Sequence, residues 1–370
     1  MSGPAGRLSI VLAGGGTAGH TSPLIATAYE LQQLAPEAEL IAVGTARGLE
    51  TTVVPAAGLR LELIPPVPLP RRPAADLLRV PGRLRAATAA AGRVITAARA
   101  SVLLCFGGYV STPAYLAARR LKVPIVIHEQ NVLPGLANKV AARFTDQVYT
   151  AFAETRLPHA RWIGLPMRRA ITELDRAAER PAARAGFGLP ADGPVLLVSG
   201  GSQGAASIND AVAGAQDALL ARGISILHVL GPKNFGSARP RTDPSGAVYA
   251  PVAYVERMEI AYAAADLMLA RCGASTVWET AVVGLPAIYV PYPHGNGEQR
   301  RNARLVVDAH GGELVDDADC TAELVARRVP DLIEHPGRLA GMSAALRGVA
   351  RADAARTLAA QTLEVARPWV

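Results

Sequence analysis

Short apolar runs alternate with amphipathic stretches along most of the 370-residue chain. The runs have the length of buried strands, and the stretches between them have the apolar spacing of helices, which together predict parallel α/β sheets. In the first half, we predict strands at 8–13, 40–44, 61–64, 102–106, 124–128, 147–151 and 162–164. In the second half, we predict strands at 194–199, 224–230, 248–252, 267–270, 287–290 and 313–315, then mainly helices over 321–365.

The alternation pauses near residue 165, where charged helical sequence follows at 171–184, and then restarts. Each half begins in the same way, with a strand, a glycine-rich loop and a helix. We therefore expect two doubly wound, Rossmann-like α/β domains that face each other across a cleft.

The first glycine loop, Gly14–Gly19, leads directly into His20. A helix is expected to begin just beyond it, with Ser22 as the cap and Pro23 in the first turn. Backbone N–H groups in such a loop face anions, and an imidazole can take a proton near neutral pH. The loop therefore predicts an anion cradle and a candidate base, and the alternative for His20 is a structural role.

The same loop matches the dinucleotide fingerprint through Gly14, Gly16 and Gly19. The next strand ends at Thr45 without an acid to bind a ribose 2′-hydroxyl, although Arg47 could favour a 2′-phosphate. A nicotinamide oxidoreductase therefore stays an alternative, as does a nucleotide-sugar sensor without catalysis.

Two more strands of the first half end in glycine or polar residues, at Gly107–Ser111 and His128–Asn131. Ligands bind beyond the carboxyl ends of parallel strands, so these two segments and the first loop predict one shared cleft. In the second half, the loop Gly200–Gly204 offers further backbone N–H groups. Glu279 could accept two ribose hydroxyls, and Arg168 could pair with a diphosphate; a helix-terminal acid and a solvated cation are the alternatives.

The net charge of +7 comes almost wholly from arginine and indicates acidic partners such as phosphates or anionic lipids. No nucleic-acid partner is expected, because the chain has no RNA-binding aromatic signature and no long basic block. Three scattered cysteines, Cys105, Cys272 and Cys320, are typical of a reducing compartment. No metal-ligand spacing occurs, and 317–319 is interpreted as a helix cap. No signal peptide or membrane span is predicted, which favours a cytoplasmic protein.

An arginine-rich segment lies between residues 71 and 99 and contains a single acid, Asp76. Basic and apolar residues mixed on a short helix can lie on an anionic bilayer, but an ordinary amphipathic helix with a solvated face has the same pattern. Both interpretations stay open on these residues alone. The basic positions are Arg71, Arg72, Arg79, Arg83, Arg85, Arg93 and Arg99.

Taken together in order and spacing, the motifs resemble the MurG family. The segments that carry the resemblance are Gly14–His20, Gly107–Ser111, His128–Asn131, Gly200–Gly204, Tyr254–Met258, Gly273–Glu279, Gly284–Pro286 and Gln299–Asn302. Leu165, Cys272 and Glu298 depart from the family pattern.

The resemblance implies a GT-B fold and a peripheral enzyme on the cytoplasmic face of the cell membrane. The implied reaction moves N-acetylglucosamine (GlcNAc) from UDP-GlcNAc to the C4 hydroxyl of lipid I, with inversion, and forms lipid II for peptidoglycan. Lipid I is N-acetylmuramyl (MurNAc)-pentapeptide on undecaprenyl diphosphate. An acceptor such as a diacylglycerol or a natural-product aglycone is the alternative. Implied partners are UDP-GlcNAc, lipid I, an anionic membrane surface and other cell-wall enzymes.

The resemblance also implies roles for single residues, with His20 as the general base and neither metal nor cofactor. The acceptor diphosphate is expected at Gly14, Gly15, Gly107, Gly108 and Tyr109. Donor contacts are expected from Thr17, Ala18, Gly19, Asn131, Arg168, Ser202, Val255, Ala274, Ser275, Thr276, Val277, Trp278, Glu279 and Gln299. An acceptor and membrane-facing domain is expected at 1–165 with a C-terminal helix at about 352–370, and a donor domain at 166–351.

Overall fold

Two separate β-sheets form the framework of the protein. The computed structural model describes residues 8–46, 48–67, 79–236 and 238–368. The chain divides into two compact units, one drawn from Met1–Arg168 and Arg351–Val370 and the other from Arg169–Ala350. We call them the amino-terminal unit and the carboxy-terminal unit.

The amino-terminal unit alternates strands and helices. Its strands are β1 (Ser9–Gly14), β2 (Glu39–Gly44), β3 (Arg60–Leu63), β4 (Val102–Gly107), β5 (Ile125–Glu129), β6 (Val148–Thr150) and β7 (Ala160–Trp162). Its helices are α1 (Ala18–Leu34), α2 (Glu50–Ala56), α3 (Val80–Ala97), α4 (Ser111–Arg120), α5 (Leu136–Ala141) and α14 (Ala354–Val365).

The described strands of this unit pair in the order β3-β2-β1-β4-β5-β6-β7, and all pairs are parallel. Side chains alternate along β1, so Ile10 and Leu12 pack with α1 and α14 while Val11 and Ala13 pack with α3 and α4. Burial of both faces explains why the strand reads as a continuous apolar run.

The carboxy-terminal unit repeats this plan. Its strands are β8 (Val195–Ser199), β9 (Ser225–Val229), β10 (Arg241–Thr242), β11 (Val248–Val252), β12 (Leu267–Ala270), β13 (Ala287–Tyr289) and β14 (Gly312–Leu314). Its helices are α6 (Arg169–Thr172), α7 (Arg176–Gly186), α8 (Ala206–Ala221), α9 (Met258–Ala264), α10 (Ala274–Val283), α11 (Glu298–Val307), α12 (Ala322–Ile333) and α13 (Pro336–Val349), with a 3-10 turn at Asp317–Asp319.

Its described strands pair in the order β10-β11-β9-β8-β12-β13-β14, and only the β10–β11 pair is antiparallel. Leu196 and Val198 of β8 pack against apolar residues of α8 and α12. Two α/β units with parallel sheets confirm the predicted fold class. The bounds and roles expected for the two domains remain a prediction.

The start of α1 differs from the sequence prediction. The helix begins at Ala18, and Pro23 lies inside it. The carbonyl of Thr17 already accepts hydrogen bonds from the N–H groups of His20 and Thr21, at 3.1 and 3.2 Å. The prediction that Ser22 caps the helix was therefore wrong, and His20 belongs to the first helical turn.

Two other elements also differ from prediction. The charged sequence at 171–184 contains a break, because the Asp175 side chain caps α7 by accepting from the N–H groups of Ala177 and Ala178. Strand β10 was not predicted, since it has only two exposed polar residues and no apolar signal.

The predicted basic segment is described only in part. Arg71 and Arg72 lie outside the described residues, as does Arg47. The remainder includes α3, which buries Ala87, Ala91 and Ile95 on one side. Within the described ranges, no helix has the length and apolar character needed to cross a membrane.

Two fully buried histidines lie in the cores of the units. His128 of β5 contacts the carbonyl oxygen of Gly164 through Nε2 at 2.9 Å. His228 of β9 contacts Asn209 through Nε2 at 3.1 Å and the Tyr249 hydroxyl through Nδ1 at 3.2 Å. Burial lowers the pKa of each imidazole to about 4, so both rings are neutral at pH 7.

Acid should therefore destabilise the protein once the pH falls below about 6.5, the pKa of these histidines in the unfolded chain. In the unfolded chain these histidines take a proton below pH 6.5, whereas in the folded protein they resist it down to about pH 4. The contribution of the two neutral rings to the free energy of unfolding is fully present above pH 6.5. It falls as the pH is lowered towards 4, by up to about 1.4 kcal/mol per pH unit for each ring. Urea unfolding of His228→Gln should show a smaller loss between pH 7 and pH 5 than the wild type. His335→Gln, at an exposed position, is the control, and an unchanged loss in His228→Gln would contradict the assignment.

Candidate active site

His20 lies at the carboxyl edge of the amino-terminal sheet, where β1 passes into α1. Its Nδ1 is 2.9 Å from the Thr17 hydroxyl oxygen. Either the hydroxyl donates to a bare Nδ1, or a protonated Nδ1 donates to the hydroxyl. The second arrangement leaves a lone pair on Nε2, the atom that a Cβ placed on Gly107 would approach to 3.2 Å. Thr17 can therefore prepare His20 to accept a proton at Nε2.

The protonation state of His20 is set by two opposing effects. Burial of the ring lowers the pKa of His20 to about 4, and the negative charge of Glu50 acts in the opposite direction. The imidazole is therefore neutral at physiological pH, as a general base must be before it reacts.

The loops after β1 and β4 pack directly against each other. Gly108 has a φ of +82°, and a Cβ on it would overlap with the carbonyl oxygen of Gly15. This contact holds the first glycine loop beside Gly107, which adjoins the His20 ring. Tyr109 follows with an exposed side chain. The structure thus brings together the residues expected to bind the acceptor diphosphate.

Sequence reasoning missed the group beneath this loop, Glu50. Its side chain is fully buried and accepts hydrogen bonds from the N–H groups of Gly16 and Thr45, each at 2.9 Å, and from the Thr45 hydroxyl at 3.0 Å. The N–H of Gly16 is therefore engaged and does not point at an external anion. The local sequence shows only an acid at the start of a helix, with glycines nearby. The same pattern is typical of a solvent-exposed acid, so it did not single out Glu50.

The third loop of this edge follows β5. Buried Glu129 accepts from the N–H groups of Asn131 and Gly135 at 3.0 and 2.9 Å and from the Asn138 side chain at 2.9 Å. Burial raises the pKa of the Glu129 carboxyl against the effect of these hydrogen bonds. A Cβ on Gly107 would lie 3.5 Å from the Asn138 amide nitrogen, so this loop adjoins the one after β4. Asn131 is held by its backbone and is half-buried.

In the carboxy-terminal unit, the loop Gly200–Gly204 joins β8 to α8. Its turn is closed by a bond from the N–H of Gly204 to the carbonyl of Gly201 at 2.9 Å, while Ser202 and Gln203 are exposed. The Asn234 side chain donates to the carbonyls of Gln203 and Leu230, at 3.3 and 3.1 Å. The loop is thus fixed by Asn234 and by its own backbone hydrogen bond, and Ser202 lies exposed at the surface.

Glu279 lies in α10, which follows the end of β12. The Tyr262 hydroxyl donates to its Oε2 at 2.7 Å and fixes the direction of the carboxylate. Tyr262 was not identified from sequence, because the tyrosine is buried and lies in the apolar part of α9.

The other predicted residues of α10 divide by burial. Val277 and Trp278 are fully buried, and Ala274 is buried at the helix start, so these three side chains belong to the core of the unit. Ser275, Thr276 and Glu279 are half-buried and reach the surface. Ala274, Val277 and Trp278 can therefore contact a ligand only through backbone atoms.

Four predicted residues lie at other positions. The Val255 side chain is buried, which leaves its backbone for the contact expected of it. Gln299, at the start of α11, accepts from the N–H of Tyr292 through Oε1 at 3.0 Å, so its Nε2 is directed elsewhere. Arg168 is half-buried at the end of the first chain segment of the amino-terminal unit. Of Ala18, only the backbone is described, at the first position of α1.

The acid pair at 317–319 does not cap a helix, because Thr321 caps α12 by accepting from the N–H of Leu324. Asp317 accepts from the Ser207 hydroxyl at 2.7 Å and from Arg271 at 2.5 Å. Burial acts to raise the pKa of the Asp317 carboxyl, but these partners outweigh it and the pKa is lowered. Arg271 also donates to the carbonyls of Val290 and Pro291, so it ties three strand ends together.

Comparison with known proteins identifies the family. The glycosyltransferase family 28 N-terminal domain matches residues 10–150, and the glycosyltransferase family 28 C-terminal domain matches residues 195–358. A protein of Cutibacterium acnes is 56% identical over 97% of this chain and 98% of its own length. It is named UDP-N-acetylglucosamine–N-acetylmuramyl-(pentapeptide) pyrophosphoryl-undecaprenol N-acetylglucosamine transferase. The chain belongs to the MurG family.

Other relatives agree with this assignment to the MurG family. A protein of Nocardioides with the same name is 53% identical over 97% of this chain and 98% of its own length. The crystal structure of Acinetobacter baumannii MurG has a TM-score of 0.75 at 26% identity and covers 96% of this chain and 99% of its own. The glycosyltransferase of kitacinnamycin, at 16% identity and a TM-score of 0.68, shows the shared fold alone. The suspected family and the glycosyltransferase class are confirmed, which leaves the oxidoreductase alternative without support.

Replacing Gly108 with alanine should impair turnover by displacing the loop beside His20. Gly58→Ala is a matched control, because Gly58 has a similar φ of +75° but open space around a Cβ. Each variant should lose roughly 1 kcal/mol of stability from its left-handed backbone. Only Gly108→Ala should also lose glycosyl transfer, by about tenfold or more. Equal activities in the two variants, measured beside their melting temperatures, would show that the contact between the two loops is unimportant.

Proposed function

We propose that the protein transfers GlcNAc from UDP-GlcNAc to the C4 hydroxyl of MurNAc in undecaprenyl-diphospho-MurNAc-pentapeptide, converting lipid I into lipid II. The near full-length identity with relatives named for this transfer carries the proposal. The acceptor oxygen forms a bond to C1 of GlcNAc as the bond from C1 to the diphosphate oxygen breaks. UDP leaves with the electron pair, the hydroxyl proton passes to a base, and C1 is inverted.

In this proposal, His20 is the base. Its ring is neutral at physiological pH, and the contact with the Thr17 hydroxyl allows the tautomer with a bare Nε2. The proton of the acceptor hydroxyl moves to this nitrogen as the new bond forms. A positioned base of this kind accelerates such a step by about 10²- to 10⁴-fold.

The acceptor diphosphate is assigned to the glycine loops of the amino-terminal unit. Glu50 lies under Gly15, where a Cβ would be 2.6 Å from Oε1, and its negative charge opposes an anion at Gly14 and Gly15. The atoms nearest to the two glycines after β4 belong to an imidazole, an amide and a backbone carbonyl rather than to a carboxylate. Gly107, Gly108 and Tyr109 therefore suit the diphosphate better. Thr17, Ala18, Gly19 and Asn131 are assigned to the GlcNAc of the donor.

The donor nucleotide is assigned to the carboxy-terminal unit. Glu279, fixed by Tyr262, accepts from the ribose hydroxyls, and the backbone of Val255 binds uracil. The first-turn N–H groups of α10 and the loop with Ser202 stabilise the charge that collects on UDP, since helix N-termini favour anions. Arg168 adds a positive charge, and Gln299 binds the sugar.

A peripheral position on the cytoplasmic face of the membrane follows from the lipid-borne acceptor. Arg79, Arg83 and Arg85 lie at the start of α3 beside the half-buried Leu84. Positive and apolar side chains at one helix end suit the surface of an anionic bilayer. We assign this end of α3 to membrane contact.

Two variants separate the proposed roles of the units. His20→Ala should lower kcat by about 10²-fold or more and leave the Kd for UDP-GlcNAc unchanged. Glu279→Gln should raise that Kd about tenfold or more, because a charged hydrogen-bond acceptor for the ribose is lost. Glu334→Gln, at an exposed surface pair with Arg222, is the control. Calorimetry with UDP-GlcNAc measures the Kd of each variant, and turnover with a lipid I analogue measures its kcat. A normal kcat in His20→Ala would overturn the base assignment, and a normal Kd in Glu279→Gln would overturn the donor site.

Charge reversal on α3 tests the membrane assignment. Exchange of Arg79, Arg83 and Arg85 for Glu should weaken binding to anionic vesicles by about 10²-fold or more, since each cation near such a surface contributes about 1 kcal/mol. Exchange of Arg222, Arg241 and Arg338 for Glu changes the net charge equally in the carboxy-terminal unit. Vesicle sedimentation compares the two, and equal release would show that α3 has no special role.

A further inference from the structure

Glu50 is a buried charge for which the transfer chemistry above has no use. Its side chain is inaccessible to solvent, and a Cβ on Gly15 would come within 2.6 Å of Oε1. Gly44 comes about as close to the side chain of Glu50, and Gly48 comes closer still, because a Cβ on Gly48 would overlap with the carboxylate. The absence of side chains at these three glycines thus leaves space for one carboxylate. An apolar side chain in the same space would leave the surrounding N–H groups unpaired.

The carboxylate of Glu50 is ionised at neutral pH. Burial acts to raise the pKa of this carboxyl, but hydrogen bonds from the N–H groups of Gly16 and Thr45 outweigh it and hold the pKa below its usual value. A carboxylate that accepts several N–H bonds is stabilised in its charged form. The loop after β1 therefore lies over a fixed negative charge.

A short chain of contacts joins this charge to the candidate base. Oε2 of Glu50 accepts from the N–H of Gly16 at 2.9 Å. Gly16 is followed by Thr17, whose hydroxyl contacts Nδ1 of His20 at 2.9 Å. The field of Glu50 also reaches the His20 ring directly and favours its protonated form. One carboxylate therefore acts on both the position and the charge of the imidazole.

We propose that Glu50 is a positioning residue for His20: it fixes the loop that carries Thr17 and stabilises the imidazolium formed when His20 takes the acceptor proton. This inference rests on the proposed function. Without such a charge, a buried imidazole is a poor base, because the proton it accepts would be left without a counter-charge. Glu50 supplies that counter-charge without touching the substrate.

The test is turnover of the full-length protein with UDP-GlcNAc and a lipid I analogue. Glu50→Gln should lower kcat about tenfold or more, because the variant loses the counter-charge of the imidazolium and the carboxylate that fixes the loop. Binding of UDP to the carboxy-terminal unit should be unchanged, and far-UV circular dichroism with the melting temperature shows whether the amino-terminal unit that holds Glu50 is folded. Glu62→Gln, an exposed carboxylate of β3 paired with Arg60, should behave as the wild type.

Two further measurements separate this role from a merely structural one. In the His20→Ala background, Glu50→Gln should cause no further loss of kcat, whereas multiplied losses would show that Glu50 acts independently of His20. The acidic limb of the kcat profile should move to lower pH in Glu50→Gln, because the charge that favours the imidazolium is gone. An unmoved limb would overturn the electrostatic role.

Glu50→Asp covers the case in which the glutamine variant does not fold. The aspartate keeps the charge and should retain more activity than whichever of Glu50→Gln and Glu50→Ala folds with a similar melting temperature. Equal activities among these variants would contradict the inference. If His20→Ala itself has normal turnover, the proposed base fails; if His20→Ala is impaired and the Glu50 variants are not, only this inference fails.

Discussion

The parallel direction of the strands is the constraint on which the chemistry depends. In each unit, the carboxyl ends of neighbouring parallel strands meet at one edge, where chain turns from strand to helix are unavoidable. The loops after β1, β4 and β5 are neighbours at one such edge because these strands are adjacent in the sheet. The loops after β8, β12 and β13 are neighbours in the other unit for the same reason. Residues far apart in sequence are thereby collected at two edges.

Buried polar groups then determine which way those loops point. Glu50 holds the loop after β1, and Glu129 holds the loop after β5, each through backbone N–H donors. In the carboxy-terminal unit, Arg271 donates to carbonyls at the end of β13 and to Asp317. Each such group is costly to bury unless its partners are in place, so each one specifies a single loop conformation. The candidate base His20 follows a loop held in this way, and the Glu279 carboxylate is held by the hydroxyl of the buried Tyr262.

The sequence predicts the strands and helices well, but it predicts poorly the buried polar residues that hold the loops. Strands with a continuous apolar run, such as β1 and β8, were located from local pattern because both faces are buried. The start of α1 was misplaced, since a proline is a strong signal for a first turn. The helix instead begins at Ala18, where the Thr17 carbonyl accepts from the N–H groups of His20 and Thr21. The two-residue strand β10 has no pattern to find.

Single residues of the site divide in the same way. Glycine and histidine motifs identified His20, Gly107 and Gly204, because their spacing is local. Glu50 and Tyr262 were missed, because the role of each depends on a partner brought close only by the fold. The run at 274–279 was predicted whole, although helical periodicity turns Val277 and Trp278 into the core.

A crystal structure of the protein with bound UDP would test the central claim most directly. We expect the nucleotide in the carboxy-terminal unit, with the ribose hydroxyls hydrogen-bonded to the Glu279 carboxylate that Tyr262 fixes. Uridine bound instead at the glycine loop before His20, with no ligand beside Glu279, would contradict it.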